Sequence, residues 1–258
     1  FEIDTKSFND YALLPNDPEF NKQWHLFNTG QAGGVGNMDV LMPEAWGIVN
    51  SSPEIVVAVI DDGLDYEHED LKNNIWINSG EIPGNLEDDD NNGYKDDVRG
   101  WDFINNHNDP MPSNVKNSDQ KYINDHGTHV AGIIGAEGNN NIGITGMSWN
   151  VKLMPLRVLG NGGLNEHIYD AIRYAADNGA NIINLSLGAV PGLEEAEKHL
   201  EETGNIEEAY QKLIPGSFDE WKKADPKGYQ NYYDALKYAS DKGVVIVVAM
   251  GNDSLEAR

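Results

Sequence analysis

Residues 55–60 form an unbroken apolar run, mostly β-branched, that ends at the acidic pair Asp61-Asp62 and then Gly63. A run without polar alternation suits a strand covered on both faces, the environment of a parallel sheet flanked by helices. Further strand candidates are 152–159, 181–187 and 244–249. Between them lie helical patterns at 126–135, 166–177 and 232–241. The second places Ile168, Ala171, Ile172 and Ala175 on one stripe, with Asn165 as its N-cap. Gly179 and Gly243 stand where helices end. Strand–helix repetition of this kind predicts an α/β fold in three layers, with a mostly parallel central sheet, helices on both faces and right-handed crossovers.

The length, 258 residues, suffices for one sizeable core. Residues 1–40 lack a period and carry the turn formers Pro15, Asn16, Asp17, Pro18, Gly33, Gly34 and Gly36. They read as an N-terminal arm over a domain that occupies 41–258. Residues 77–125, rich in Asn, Asp and Gly, read as long ordered loops. Residues 190–230 carry Glu194, Glu195, Glu197, Glu201, Glu202, Glu207 and Glu208 around spaced apolar residues, and read as an acidic helical insert. Decoration of the surface and selection of substrate are both open roles for it.

A formal charge of −25 argues against nucleic acid or an anionic membrane as partner and favours divalent cations. No apolar run approaches the roughly 20 residues of a membrane span. The chain lacks cysteine and starts at Phe1 without a leader pattern, so any signal or pro-segment is expected to be gone already.

In parallel sheets, reactive groups gather at the carboxyl ends of strands, where Asp61 is placed. A carboxylate emerging from an apolar strand needs a partner or a task; capping the Gly63 turn is one, orienting an imidazole another. His126 opens a glycine-rich helix, and Asp with His is the pair that activates a serine for acyl transfer. His126 and His129 also raise a zinc reading, but their spacing is three and no Glu lies between them, so the metalloprotease helix pattern fails. His129 is expected to be a buried packing residue.

The runs Val59-Ile60-Asp61-Asp62-Gly63, His126-Gly127-Thr128-His129-Val130-Ala131-Gly132 and Val247-Val248-Ala249-Met250-Gly251-Asn252 closely resemble the motifs of subtilisin-like serine proteases, a likeness that runs from about Asp17 to Asn252 apart from the 190–230 insert. The resemblance implies the three-layer subtilisin-like fold. It implies that Asp61 orients the imidazole, that His126 is general base and then acid, and that Asn252 donates to the oxyanion. It also implies that a protein or peptide substrate adds as a strand between two edges, at Gly160, Gly162 and Gly163 and at Ser186, Leu187 and Gly188. The family's serine motif has no match. Ser148 lies between the histidine helix and the next strand, and Ser254 follows Asn252 too closely. The expectation is therefore the N-terminal part of a secreted or extracytoplasmic serine endopeptidase, inactive alone, whose serine comes from a complementary C-terminal fragment. A pseudoprotease that keeps the cleft for binding is the alternative.

Asp88, Asp90 and Asn92 stand at positions one, three and five of a calcium-type loop, with Gly93 at six. Arg99 occupies the twelfth position, so Asp96 or Asp97 would close the shell, with the Tyr94 carbonyl contributing; a hydrated acidic turn is the alternative. The resemblance implies a second Ca²⁺ site from Asp70, Asn140 and the carbonyls of Glu137, Ile142 and Ile144, with Asp17 joining from the arm.

Overall fold

Strand β1, Ser51–Asp61, is the centre of a five-stranded parallel sheet. The structure is a computed structural model that describes residues 12–113, 125–160, 163–164, 167–187, 202–203, 222–223 and 226–249. The other strands are β2 (Trp101–Asp102), β3 (Asn150–Arg157), β6 (Ile182–Leu185) and β7 (Val245–Val248), in the order β2-β3-β1-β6-β7. A two-residue antiparallel ribbon, β4 (Leu159–Gly160) with β5 (Gly163–Leu164), leaves the end of β3. The helices are α1 (Met42–Trp46), α2 (His126–Gly135), α3 (Ile168–Asp177) and α4 (Pro226–Asp241).

Alternation along β1 decides the layers, because successive strand side chains point to opposite faces. Val57 and Val59 pack with Ala131 of α2, together with Leu64, Leu71 and Leu153. Ala58 and Ile60 face the other way, against Ala171, Ile172 and Ala175 of α3 and Ala235 and Ala239 of α4. A strand buried on both sides therefore needs the unbroken apolar run seen in its sequence. The mostly parallel three-layer α/β arrangement is the one expected.

Connections from β1 lead to β3 on one side, while the chain then crosses to β6 on the other. The carboxyl end of β1 is thus a switch point, where diverging loops leave a crevice. Gly179 and Gly243 follow α3 and α4 with φ of +82° and +84°, a left-handed stop that costs glycine little. The arm is fixed by Leu26, Trp46 and Trp149, which form a separate apolar cluster with Phe20 and Met42.

Three details differ from the sequence reading. Helix α4 spans Pro226–Asp241 and so includes residues well before 232. Strand β2 lies inside the segment read as loop; its two residues are held by pairing with Leu156 and Arg157. His129 is exposed, not buried. The buried face of α2 runs Gly127, Ala131, Gly135, and a residue midway between two of these points to the opposite side. Asn165 and most of the 190–230 insert lie outside the described residues.

Candidate active site

Asp61 is the last residue of β1 and is fully buried, 0% exposed. Its backbone carbonyl accepts the Val158 amide (2.8 Å), which ties the strand end to β3. One carboxylate oxygen, Oδ1, accepts from the Asp62 amide at 2.8 Å and lies 2.8 Å from His126 Nδ1. The other, Oδ2, is buried and has no hydrogen-bond partner among the described residues. His126, first residue of α2, keeps its side chain 54% exposed. The imidazole is therefore held at Nδ1 and presents Nε2 outward.

The helix can approach this closely only because residue 127 has no side chain. A Cβ at Gly127 would collide with the Gly63 carbonyl and stand 2.8 Å from Asp61 Cβ. Burial pushes the Asp61 carboxyl above its ordinary pKa, an effect countered by the hydrogen bond to His126. The same hydrogen bond holds the imidazole above its ordinary 6.5, against the opposing pull of burial. A carboxylate behind Nδ1 fixes the tautomer in which Nε2 accepts a proton, and stabilises the imidazolium formed when it does.

Of the expected substrate edges, Gly160 and Gly163 face one another in the β4–β5 ribbon. Ser186 and Leu187 continue β6; Ser186 Oγ accepts from Asn184 Nδ2 (2.9 Å) and Leu187 is buried in the core. Gly162, Gly188 and Asn252 lie outside the described residues. Among the described residues, no third His, Cys or carboxylate joins His126 and His129 within the reach of one metal ion.

The acidic loop gathers a set that only partly coincides with the sequence pattern. Asp90 and Asp97 come together with Glu81, their ligand oxygens all within 4.8 Å. Glu81 is only 7% exposed; its Oε1 accepts the amides of Asp89 (3.0 Å) and Asp90 (3.3 Å), while Oε2 is buried without a hydrogen-bond partner among the described residues. Asn78 Nδ2 donates to both Asp90 (2.9 Å) and Asp97 (3.0 Å), and Asn92 Nδ2 donates to the same two carboxylates. Asp97 is fully buried and also accepts from the Tyr174 hydroxyl. Asp88 accepts the Asn92 and Gly93 amides. Asp96 accepts the Gly84 amide, and the Tyr94 ring packs edge-on against Trp101 and Tyr174. Sequence reasoning missed Glu81, which carries no spacing signal relative to the Asp-rich run.

The second group is drawn from three segments. Asp17 accepts the Asn139 amide (2.7 Å) and Asp70 accepts from Asn140 Nδ2 (2.8 Å) and the Ile144 amide (2.9 Å). Asn140 Oδ1 accepts the Ile142 amide at 2.7 Å, and the Glu137 amide donates to the Asp70 carbonyl at 2.8 Å. Burial raises the Asp70 carboxyl pKa, and the nearby Asp17 charge adds to this.

Residues 52–258 match the model of the subtilase family. The chain belongs to that family. It is 34% identical over 250 residues to a thermophilic serine proteinase of Bacillus sp. strain AK1, an alignment covering 91% of this chain and 53% of the relative. It is 36% identical over 183 residues to a cell wall-associated protease of Bacillus subtilis strain 168, covering 69% and 17% respectively. Among solved structures, a protease of Pseudoalteromonas arctica PAMC 21717 superposes with a TM-score of 0.55 at 25% identity, covering 93% of this chain and 59% of that one. The chain spans about half the length of the first of these relatives. As a subtilase it is related to peptidases that hydrolyse through a serine.

Proposed function

We propose that this subtilase chain supplies the aspartate and histidine of an Asp-His-Ser triad in a calcium-stabilised serine endopeptidase. The observation that carries the reading is the 2.8 Å contact between buried Asp61 and the half-exposed imidazole of His126 at the sheet's switch point. Nε2 would take the proton of a serine hydroxyl as it attacks the peptide carbonyl, then return it to the leaving amine. Asn252 would donate to the oxyanion, and the ribbon at Gly160–Gly163 and the segment Ser186–Gly188 would hold the peptide as an added strand.

The serine would come from polypeptide beyond these 258 residues. Two observations support this: coverage of about half the relative's length, and the apolar strand β7, which is the edge of the sheet among the described residues and whose Val245, Val247 and Val248 are exposed. An exposed apolar edge favours a covering neighbour. The proposed location is outside the cytoplasm, as the cell-wall name of the B. subtilis relative favours. No described helix is long and apolar enough to cross a membrane.

Calcium is the proposed ion for the two acidic groups, because both offer only oxygen donors. The unpartnered, buried Oε2 of Glu81 beside Asp90 and Asp97 fits such an ion, since an uncompensated buried carboxylate is costly. Asp17, Asp70 and Asn140, with carbonyls of Glu137, Ile142 and Ile144, would hold the second.

A fluorophosphonate probe tests the reading on the native, full-length protein. One labelled serine outside residues 1–258, with labelling abolished by H126A, is the expected result. A folded protein that never labels would overturn it in favour of a non-catalytic cleft that only binds peptide.

A further inference from the structure

The second acid of the Asp61-Asp62 pair does a separate job. Asp62 is buried, 6% exposed, yet it makes no ion pair among the described residues. Its Oδ1 accepts the Gly127 amide at 2.7 Å, and its Oδ2 accepts the His126 amide at 3.2 Å. These are the first two amides of α2, which have no partner within the helix. The residue that precedes α2 in sequence, Asp125, makes no side-chain cap. The cap is therefore supplied from outside the helix, by the residue that follows β1, 64 residues away in sequence from His126. Capping carboxylates complement the positive end of the helix dipole.

The geometry points to Asp62 as the residue that positions the catalytic histidine, by clamping the start of α2 to the same strand end that carries Asp61. Neighbouring carboxylates divide the work: Asp61 holds the ring of His126, and Asp62 holds its backbone. Gly127 is part of the device, since a Cβ there would press to 3.0 Å from Asp62 Oδ1. A third tie, from the Asp65 amide to Thr128 Oγ1 (3.0 Å), keeps the same turn against the same loop. Rotation or sliding of α2 by a fraction of an ångström would move Nδ1 off Asp61, and misplacement of about 1 Å can cost about 10²-fold in rate. The assignment rests on the proposed reaction for its catalytic consequence, but the positioning itself does not depend on a serine being present.

The test uses the native, full-length protein and its D62A and D62N variants, with two independent measurements. The first is the proton resonance and titration of the His126 imidazole by NMR. Asp61, Asp62 and Asp125 are the charges that act on this ring. D62A should lose the downfield Nδ1 proton signal of the Asp61–His126 hydrogen bond, and D62N, which keeps an acceptor for Gly127, should retain it in part. The second is peptide hydrolysis: D62A should lower kcat about 10- to 100-fold with KM within twofold, and D62N should lose less. If D62A does not fold, D62N decides, through a lower His126 pKa and a reduced kcat at a nearly unchanged Tm. An active protein whose D62A variant keeps the Nδ1 signal and kcat, losing only Tm, overturns the assignment, as does, where D62A does not fold, a D62N variant with the parent's His126 pKa and kcat. Loss of the signal in a protein without any peptidase activity would uphold the assignment and sink the proposed reaction instead.

Discussion

At the scale of single residues, the site depends on one hydrogen bond between groups with opposite demands. Asp61 is pushed by burial toward its neutral form, while His126 is pulled toward its charged form by that same aspartate. In the proposed reaction the general base must be the neutral imidazole, so the raised pKa would set the lower pH limit of activity. The acid limb of kcat/KM against pH should therefore fall above the ordinary histidine value of 6.5. For stability the sign is reversed. The extra stabilisation from the protonated pair is fully present below the unfolded value, near 6.5, and disappears as pH rises through the folded value. Replacing Asp61 with Asn leaves the packing volume but removes the charge and favours the wrong tautomer. Turnover should fall by about 10⁴-fold and the acid limb should move down in pH. A pH–rate series on D61N and the parent protein checks both, and an acid limb that stays in place would contradict the coupling.

At the scale of elements, helix α2 and strand β1 meet through glycine. In Gly127→Ala, the new methyl has nowhere to go: it meets the Gly63 carbonyl and Asp61 Cβ at the carboxyl end of β1, where Asp61 is paired with Arg157 of β3. The variant should lose about 1–3 kcal/mol of stability and much of its activity, since the helix must lift away from Asp61. Denaturant melts read the first loss and hydrolysis the second. The meeting of these two elements was legible in the sequence because both carry local signals. The β1 run announces itself by unbroken apolar, β-branched residues and the helix His126–Gly135 by its pattern, and the strand end fixes where Asp61 emerges. What escaped notice depends on contacts between segments. β2 exists only because Leu156 and Arg157 pair with it, and Arg157 closes a buried ion pair to Asp102 (2.8 Å). Glu81 joins Asp90 and Asp97 through loop geometry that no spacing rule encodes. The exposure of His129 could have been read from its place opposite Gly127 and Ala131, but the density of small residues around it hid the face.

At the scale of the whole molecule, 43 acidic residues against 18 basic ones leave a chain that repels itself unless cations are taken up. The loop group of Glu81, Asp90 and Asp97 abuts the aromatic cluster of Tyr94, Trp101, Phe103 and Tyr174, through the Tyr174 hydroxyl on Asp97. The other acidic group joins the arm at Asp17 to the loop that follows α2. Ions at these positions would fasten segments that the sheet alone does not order. At 100 times its dissociation constant, one bound ion adds about 2.7 kcal/mol, so excess chelator should lower Tm by roughly 5–10 °C per site. E81Q removes one charge from the loop group and leaves the Asp17–Asp70 group intact. It should weaken calcium binding, lower Tm in calcium, and shrink the difference between calcium and chelator without abolishing it. Because Trp101 lies beside the loop group, a calcium titration of intrinsic fluorescence should show a transition that E81Q shifts to higher concentration. An identical melt in calcium and in chelator would exclude both ions, leaving Asn78, Asn92 and Tyr174 as the groups that hold Asp97 and the Asp89 and Asp90 amides as those that hold Glu81.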